Sequence, residues 1–280
     1  MQKIALITDS GCDLDTEILN KYNMFFLPLR IIYKDNDYLD RLEISPEELY
    51  LSLEKEIPKT SLPDGQFIEN TLNQIEAQGY THAISISISS GLSGTANSLR
   101  IIAENHPNLK TYIFDSKTLS MPQGAITLVA AEMIESGSTF EEIIEVLPKL
   151  REKTDGYFTL KTLDYLKKGG RIGKVSGTIG EMLNIKPIIS INDDGIYFTH
   201  SKARGRKQAI GKLREILDEH LSISKCKVWI LQGDALDEAK AFLEVVKDLP
   251  NITHISISTI GPALGVHAGP GLLGLAIQRE

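Results

Sequence analysis

Short apolar segments alternate along the first half of the chain with longer segments whose apolar residues recur at helical spacing. The predicted strands are residues 3–8, 25–33, 83–88 and 112–114. Three helices are predicted. One begins at residue 46, and the others span residues 64–78 and 123–135. Strands that alternate with helices of about 10 to 15 residues are typical of βαβ units. This half is therefore predicted to form a parallel sheet covered by helices.

Two of these helices carry end signals. Ser45 precedes Pro46 and Glu48, which is the order expected of an N-cap, a proline at the first helical position and a capping box. Gly79 follows the helix at 64–78, where a residue that tolerates positive φ ends a helix most easily.

The pattern changes near residue 155. Segments 187–191 and 196–200 flank Asn192-Asp193-Asp194-Gly195, a turn signal that predicts an antiparallel hairpin. The remaining predicted elements are strands 228–232, 255–258 and 272–278 and a helix at 235–247. The fold class is thus predicted to be α/β, with an N-terminal parallel-sheet α/β domain over residues 1–155 and a C-terminal mixed α/β domain over residues 156–280.

Composition narrows the class of protein. The chain has 280 residues and no run approaching the ~20 apolar residues of a membrane span, and its first residues lack the features of a secretory signal. We therefore expect a cytoplasmic protein without integral membrane association. Cys12 and Cys226 stand alone in sequence and are expected to be free thiols. The net charge of −7 argues against nucleic acid as a partner.

Candidate chemistry lies in three polar loops that follow predicted strands: Thr8-Asp9-Ser10, residues 89–95 and Asp115-Ser116. Ligands of open α/β sheets bind beyond the carboxyl ends of strands. The loop at 89–95 leads into a predicted helix, so its hydroxyls and helical N–H groups suit an anion. Serine and glycine are also ordinary cap and turn residues, and both interpretations stay open.

Two glycine-rich segments resemble nucleotide-binding motifs but lack the sequence context that such motifs need. Residues 269–274 match GxGxxG, but too few residues follow for a dinucleotide-binding βαβ unit. Residues 169–175 resemble a phosphate loop with the wrong glycine spacing and Val175 after the lysine. No metal site, cofactor or catalytic motif is predicted. His267 lies in a segment, 261–271, so rich in glycine and proline that it is predicted to be a loop.

Several motifs, in this order and spacing, resemble the DegV family. They are Thr8-Asp9-Ser10, Thr60-Ser61-Leu62-Pro63, residues 89–94, Phe114-Asp115-Ser116, Gly169-Gly170-Arg171-Ile172, Lys186-Pro187-Ile188 and the His267 segment. The resemblance covers nearly the whole chain. It implies a protein that binds one long-chain fatty acid between its two domains. In some bacteria such proteins are the acyl-carrying subunit of a fatty acid kinase, which makes a kinase subunit the expected partner.

The resemblance also implies site residues. The carboxyl group would be bound by Thr60 or Ser61, Ser93, the Gly94 N–H and His267. Leu62 stands where the family commonly has glutamine, so any contact through that side chain is absent. The candidates for the acyl tunnel are apolar residues near the glycine-rich segments: Ile179, Met182, Leu183, Ile185, Ile188, Leu264 and Val266.

The charge pattern fits either a docking face or a solvated helix with scattered lysines. Residues 161–215 carry twelve Lys or Arg against five Asp or Glu, a balance of +7 in an acidic chain. The candidates for docking the kinase are Arg171, Lys174, Arg204, Arg206 and Lys207. Two other functions stay open: an acyl hydrolase with Ser93 as nucleophile and His267 as base, and a lipid-responsive regulatory protein.

Overall fold

In a computed structural model, residues 2–178 and 184–280 are described, and these form three β-sheets. The first sheet has four parallel strands in the order β2-β1-β6-β7. Its strands are β1 (Ile4–Asp9), β2 (Phe25–Leu27), β6 (His82–Ser87) and β7 (Lys110–Asp115). The predicted parallel sheet is confirmed.

A small antiparallel sheet corrects the prediction of a single strand at 25–33. Its order is β4-β3-β5, with β3 (Arg30–Ile32), β4 (Asp37–Leu39) and β5 (Lys59–Ser61). The chain leaves the first sheet after Leu27 because Pro28 has no N–H to continue the ladder. Beyond it, the Leu29 N–H donates to the Ser10 hydroxyl at 3.0 Å.

The second large sheet is mixed, in the order β10-β9-β8-β13-β11-β12. Its strands are β8 (Thr154–Thr159), β9 (Ile185–Ile191), β10 (Tyr197–Arg204), β11 (Cys226–Gly233), β12 (Ile252–Thr259) and β13 (Leu272–Arg279). β9 and β10 form the predicted hairpin, whereas β11 and β12 are parallel.

Ten α-helices connect the strands within the described ranges 2–178 and 184–280. They are α1 (Thr16–Lys21), α2 (Pro46–Ser52), α3 (Gly65–Ala77), α4 (Thr95–Ala103), α5 (Met121–Glu135), α6 (Phe140–Glu152), α7 (Asp164–Lys168), α8 (Gly205–Ile223), α9 (Leu236–Val246) and α10 (Pro262–Ala268). Both halves of the predicted capping box at Ser45 are present. None of the helices described is long and apolar enough to cross a bilayer.

The prediction of a loop at 261–271 was wrong, because most of this segment forms helix α10. Pro262 occupies the first turn, where its fixed φ is compatible with a helix, and Gly269 ends the helix with φ +68°. Gly265 faces α2, and a β-carbon there would lie 2.7 Å from Leu49 Cδ2. The glycines therefore allow close packing of a short helix.

The largest hydrophobic core lies between the two large sheets. It joins Leu6 and Ile86 of the first sheet to Phe158 and Trp229 of the second, with α5 between them. The boundary predicted at residue 155 falls one residue after β8 begins. Since both sheets contribute to one shared core, the division into domains 1–155 and 156–280 stays a proposal.

Candidate functional site

The central contact of the site joins β5 to α10. Thr60 Oγ1 and His267 Nε2 lie 2.7 Å apart. Thr60 stands on a strand of the small antiparallel sheet, and His267 is in the last turn of α10, which packs against α2 and α7. Two distant parts of the chain therefore build one hydrogen-bonded pair.

His267 is neutral near pH 7. Burial, reinforced by the positive charge of Arg171, lowers the pKa of His267 to about 4. Its Nδ1 is buried and has no hydrogen-bond partner in the structure described. That nitrogen faces Gly169, where a β-carbon would lie 2.0 Å away.

This packing decides which ring nitrogen carries the proton. An N–H donor directed at the Gly169 α-carbon would be unsatisfied, whereas a bare nitrogen beside a Cα–H is tolerated. We therefore assign the proton to Nε2, which donates to Thr60 Oγ1. The hydroxyl proton of Thr60 can then be donated to a ligand oxygen.

A second set of donors lies at the start of α4. Ser93 Oγ is 2.9 Å from Thr95 Oγ1, and the Ser93 N–H donates to Ser89 O at 3.0 Å. Gly94 is the residue before the first helical turn. The first N–H groups of a helix lack internal acceptors, so this end attracts an anion. The predicted passage from the 89–94 loop into a helix is confirmed.

These donors line a common cavity of about 190 Å³, here called the carboxyl pocket. All the predicted carboxyl ligands border it: Thr60, Ser61, Ser93, Gly94 and His267. Apolar walls and one cation, Arg171, complete the pocket. The structure thus brings together residues that are up to 207 positions apart.

An apolar cavity adjoins the carboxyl pocket inside the shared core. Leu119, Tyr197, Leu264 and His267 line both spaces. The apolar cavity continues along Phe158, Ile191, Leu231, Ile260 and Leu272. Its volume of about 40 Å³ has room for only a few water-sized groups. A longer apolar ligand would have to displace the surrounding side chains.

The structure places the predicted acyl-chain residues in different parts of the protein. Leu264 borders both cavities, but Val266 lies on another side of α10 and borders a different groove. Ile188 is buried in the core beneath α8. Ile185 is half-buried at the start of β9 and lines neither cavity. Ile179, Met182 and Leu183 lie outside the described residues.

Ile188 lines neither cavity, because neighbouring residues of a strand face opposite sides. Ile189 belongs to the core between the sheets, and Ile191 lines the apolar cavity. Strand alternation therefore turns Ile188 away from the apolar cavity, and Ile191 lines it instead. Leu119 and Tyr197 were also missed, since no local pattern relates them to His267.

Of the predicted docking residues, only Arg171 borders the carboxyl pocket. It donates from Nη1 to Gly169 O at 2.8 Å. Lys174 pairs with Asp194 at 3.2 Å, and Arg206 pairs with Glu238 at 2.6 Å. Arg204 and Lys207 are exposed at the start of α8. Three of the five thus cluster at the start of α8, and their role in docking stays a prediction.

A buried polar network that sequence analysis missed holds the start of α10. Asp13 accepts from the Gly261 N–H at 2.8 Å and from Arg41 Nη2 at 2.8 Å. Asp40 accepts from the Ala263 N–H at 3.1 Å, and burial raises the pKa of Asp40 to about 7. The network fixes the helix that carries His267. Its contacts span more than 200 residues, so no local motif signals it.

Other chemistry is limited within the described residues. They contain no group of three or more His, Cys, Asp or Glu side chains arranged to hold a metal ion. Cys12 and Cys226 are buried free thiols, as predicted.

The fold and site define a class of α/β protein in which two large sheets enclose adjoining polar and apolar cavities. Solved structures share this fold. DegV, a fatty acid binding protein from Bacillus subtilis, is 29% identical, with 100% of both chains covered and a TM-score of 0.92. A stearic acid-binding protein from Eubacterium ventriosum is 29% identical, with 100% of this chain and 98% of that chain covered and a TM-score of 0.87.

The chain belongs to the DegV family. The family model matches residues 3–280. A DegV domain-containing protein of Clostridium acetobutylicum is 52% identical over 280 residues, which is 100% of each chain. The family resemblance drawn from the sequence motifs is thereby confirmed.

Proposed function

We propose that this protein binds one long-chain fatty acid and presents its carboxyl group to a partner kinase. The observation that carries the proposal is that the two cavities adjoin each other, since Leu119, Tyr197, Leu264 and His267 line both. The carboxyl pocket offers hydroxyl and N–H donors. The apolar cavity is lined mainly by packed apolar side chains. The fatty acid binding of the solved relatives supports the same ligand class.

The polar end suits a carboxylate. Thr60 donates to one oxygen, while Ser93 and the Gly94 N–H supply donors from the start of α4. Neutral His267 orients Thr60 and adds no charge of its own. These donors are neutral, and Arg171 is the one cation among the described lining residues. The carboxylate is therefore positioned mainly by hydrogen bonds, which leave an oxygen nucleophilic.

The apolar end supplies affinity. Burial of ~14 methylenes at roughly 0.8 kcal/mol each contributes about 11 kcal/mol before ordering costs. The lining side chains must rotate, since the cavity of about 40 Å³ is too small for a long chain. Binding is therefore proposed to open a space in the core between the sheets.

The phosphoryl donor is proposed to come from the kinase. The GxGxxG match at 269–274 runs into strand β13, whereas a dinucleotide motif would open a helix. Gly269 and Gly271 have positive φ there, which fits a turn between α10 and β13. This segment therefore gives no support to a nucleotide site on the chain itself.

The hydrolase alternative has less support. A serine nucleophile needs a base within hydrogen-bond reach. His267 Nε2 is bonded to Thr60, and Ser93 Oγ is bonded to Thr95. Steady turnover of a p-nitrophenyl ester, abolished by Ser93→Ala, would support hydrolysis and contradict the binding proposal.

Denaturing mass spectrometry of the purified protein tests the proposal directly. The expected result is about one fatty acid per chain, and incubation with a kinase subunit and ATP should convert it to acyl phosphate. A protein that arrives empty and fails to bind added palmitate or oleate would overturn the binding function. Lipid that is bound but never phosphorylated by any kinase subunit from the same cell would overturn only the presentation role.

A further inference from the structure

A second open space lies beside the carboxyl pocket. This basic groove, of about 670 Å³, runs between residues 53–60 and residues 168–171. Its side chains include Lys55, Lys59, Lys168 and Arg171. At its inner end are Thr60 and His267. The groove therefore reaches the hydrogen-bonded pair that is proposed to hold the carboxylate.

The three lysines of the groove make no ion pair with a described residue, whereas Arg171 donates to Gly169 O. Lys55, Lys59 and Lys168 are exposed, and none is in an ion pair with a described residue. Glu54 and Glu56 also line the groove, so four cations face two carboxylates. Glu56 in turn accepts the Lys34 backbone N–H at 2.8 Å. The groove keeps a positive field at the carboxyl site, and such a field favours an anionic ligand.

The two sides of the Thr60–His267 pair differ in charge. The carboxyl pocket has Arg171 as the one cation among its described lining residues, whereas the basic groove has four. A phosphoryl group that approaches a carboxylate is repelled by it, and enzymes offset this repulsion with positioned cations. The groove is therefore the more favourable side of approach.

We propose that the basic groove receives the terminal phosphoryl group of the nucleoside triphosphate that the kinase supplies. This inference rests on the proposed function. A carboxylate oxygen attacks the terminal phosphorus, and the bond from that phosphorus to the bridging oxygen breaks. The nucleoside diphosphate leaves with the electron pair, no proton is transferred, and the total charge is conserved. Lys55, Lys59 and Lys168 would neutralise the phosphoryl oxygens during this transfer.

The decisive variant carries Lys55→Glu, Lys59→Glu and Lys168→Glu. Its matched control carries Lys153→Glu, Lys225→Glu and Lys240→Glu, which are also exposed and without ion pairs to described residues. Both variants should keep the copurified fatty acid, since none of the six lysines borders the carboxyl pocket or the apolar cavity. Loss of lipid in the groove variant would mean that the lysines are structural and would overturn the inference.

Acyl-phosphate formation with the kinase subunit is then measured against the concentration of lipid-loaded protein. The groove variant should lose at least about tenfold in kcat, while the control stays within about twofold of the wild type. A rise in KM with unchanged kcat would show that the groove docks an acidic protein surface and would overturn the inference. A wild-type protein that holds lipid but receives no phosphate would overturn the presentation role, and this inference with it.

A partner-free measurement uses inorganic tripolyphosphate as the probe. Titration of the lipid-loaded protein should perturb the backbone amide resonances of Lys59, Thr60 and Gly169 in a saturable manner. The perturbation should weaken with added salt and vanish in the groove variant, but persist in the control. Unperturbed resonances in the wild type would overturn the inference.

Discussion

Gly169 lies directly against His267, so that a β-carbon on Gly169 would be 2.0 Å from Nδ1 of the ring. Gly169 follows α7 with φ −76° and ψ −5°, a conformation that any residue adopts. The close approach is therefore the structural reason for glycine here. The end of α7 sets the position of the imidazole that orients Thr60.

Gly169→Ala should displace the His267 ring and reduce retained fatty acid. The added carbon cannot fit without a shift of α7 or of the ring, and either shift breaks the 2.7 Å contact with Thr60. The measurement is palmitate affinity by competition. Gly211→Ala is the control, because a β-carbon at that position in α8 meets nothing within 4 Å. Equal affinities for both variants would contradict the assigned contact.

Thr60→Val should weaken carboxylate binding by about 1 to 3 kcal/mol, since it removes the hydroxyl while it keeps the shape of the side chain. Thr60→Ser should retain most of the affinity because the donor remains. Isothermal titration of delipidated protein with oleate separates these cases. If valine and serine bind equally well, the hydroxyl does not contact the carboxylate.

Ser93→Ala should lower affinity by a similar amount and leave the fold intact. The loop keeps its backbone bond from the Ser93 N–H to Ser89 O, so thermal unfolding should change little. Ser136→Ala, which loses a bond to Glu132 O at the exposed end of α5, is the control for removal of a hydroxyl. Unchanged binding and unchanged phosphorylation of the bound lipid would remove Ser93 from the site.

The low pKa of His267 predicts a pH effect on stability. The unfolded chain binds a proton at His267 below about pH 6.5, whereas the folded protein does so only below about pH 4. Stability from this residue therefore falls as pH drops from 6.5 towards 4, by about 2 kcal/mol at pH 5. Asp40, with a pKa raised to about 7, gives the opposite slope over an overlapping range.

Comparison of the delipidated wild type with His267→Gln separates the contribution of His267 to pH-dependent stability from that of Asp40. Between pH 7 and pH 5, the free energy of unfolding of the wild type should decrease relative to that of the variant by about 2 kcal/mol. Urea titrations at each pH provide the measurement. A difference that is constant with pH would mean that folding does not lower the pKa of His267.

Gly195→Ala should destabilise the contact between the two large sheets. Ser89 Oγ donates to Gly195 O at 2.8 Å, and a β-carbon on Gly195 would lie 2.0 Å from that hydroxyl. Gly137 is a matched control, since it also has positive φ but meets nothing within 4 Å. Both changes incur about 1 to 2 kcal/mol of backbone strain, and Gly195→Ala should lose about 1 to 3 kcal/mol more through overpacking. Equal losses in chemical denaturation would contradict a tight contact.

Local signals in the sequence predicted the elements that local physics determines. The capping box at Ser45, the turn at 192–195 and the parallel strands were all identifiable, because caps, turn residues and apolar runs act over a few positions. α10 was missed because Gly265 serves close packing against α2, a contact that the local sequence does not show.

The site was predictable only in part. The five carboxyl ligands that the family resemblance implied all border one pocket. The apolar candidates depended on which side of a strand each residue faces, so Ile188 lies outside the apolar cavity and Ile191, which was not a candidate, lines it. The Asp13 contact with Gly261 joins positions 248 residues apart and carries no sequence motif. Long-range geometry of this kind is set by tertiary packing.

Strand β13 has a consequence for synthesis on the ribosome. It is the last strand along the chain, yet it lies between β8 and β11 inside the second sheet. Until it emerges, the strands on either side of it present open edges, which are prone to pair with other chains. His267 precedes it by only five residues. The nascent protein is thus prone to misassembly until β13 has left the ribosome, and chaperone demand should persist until then.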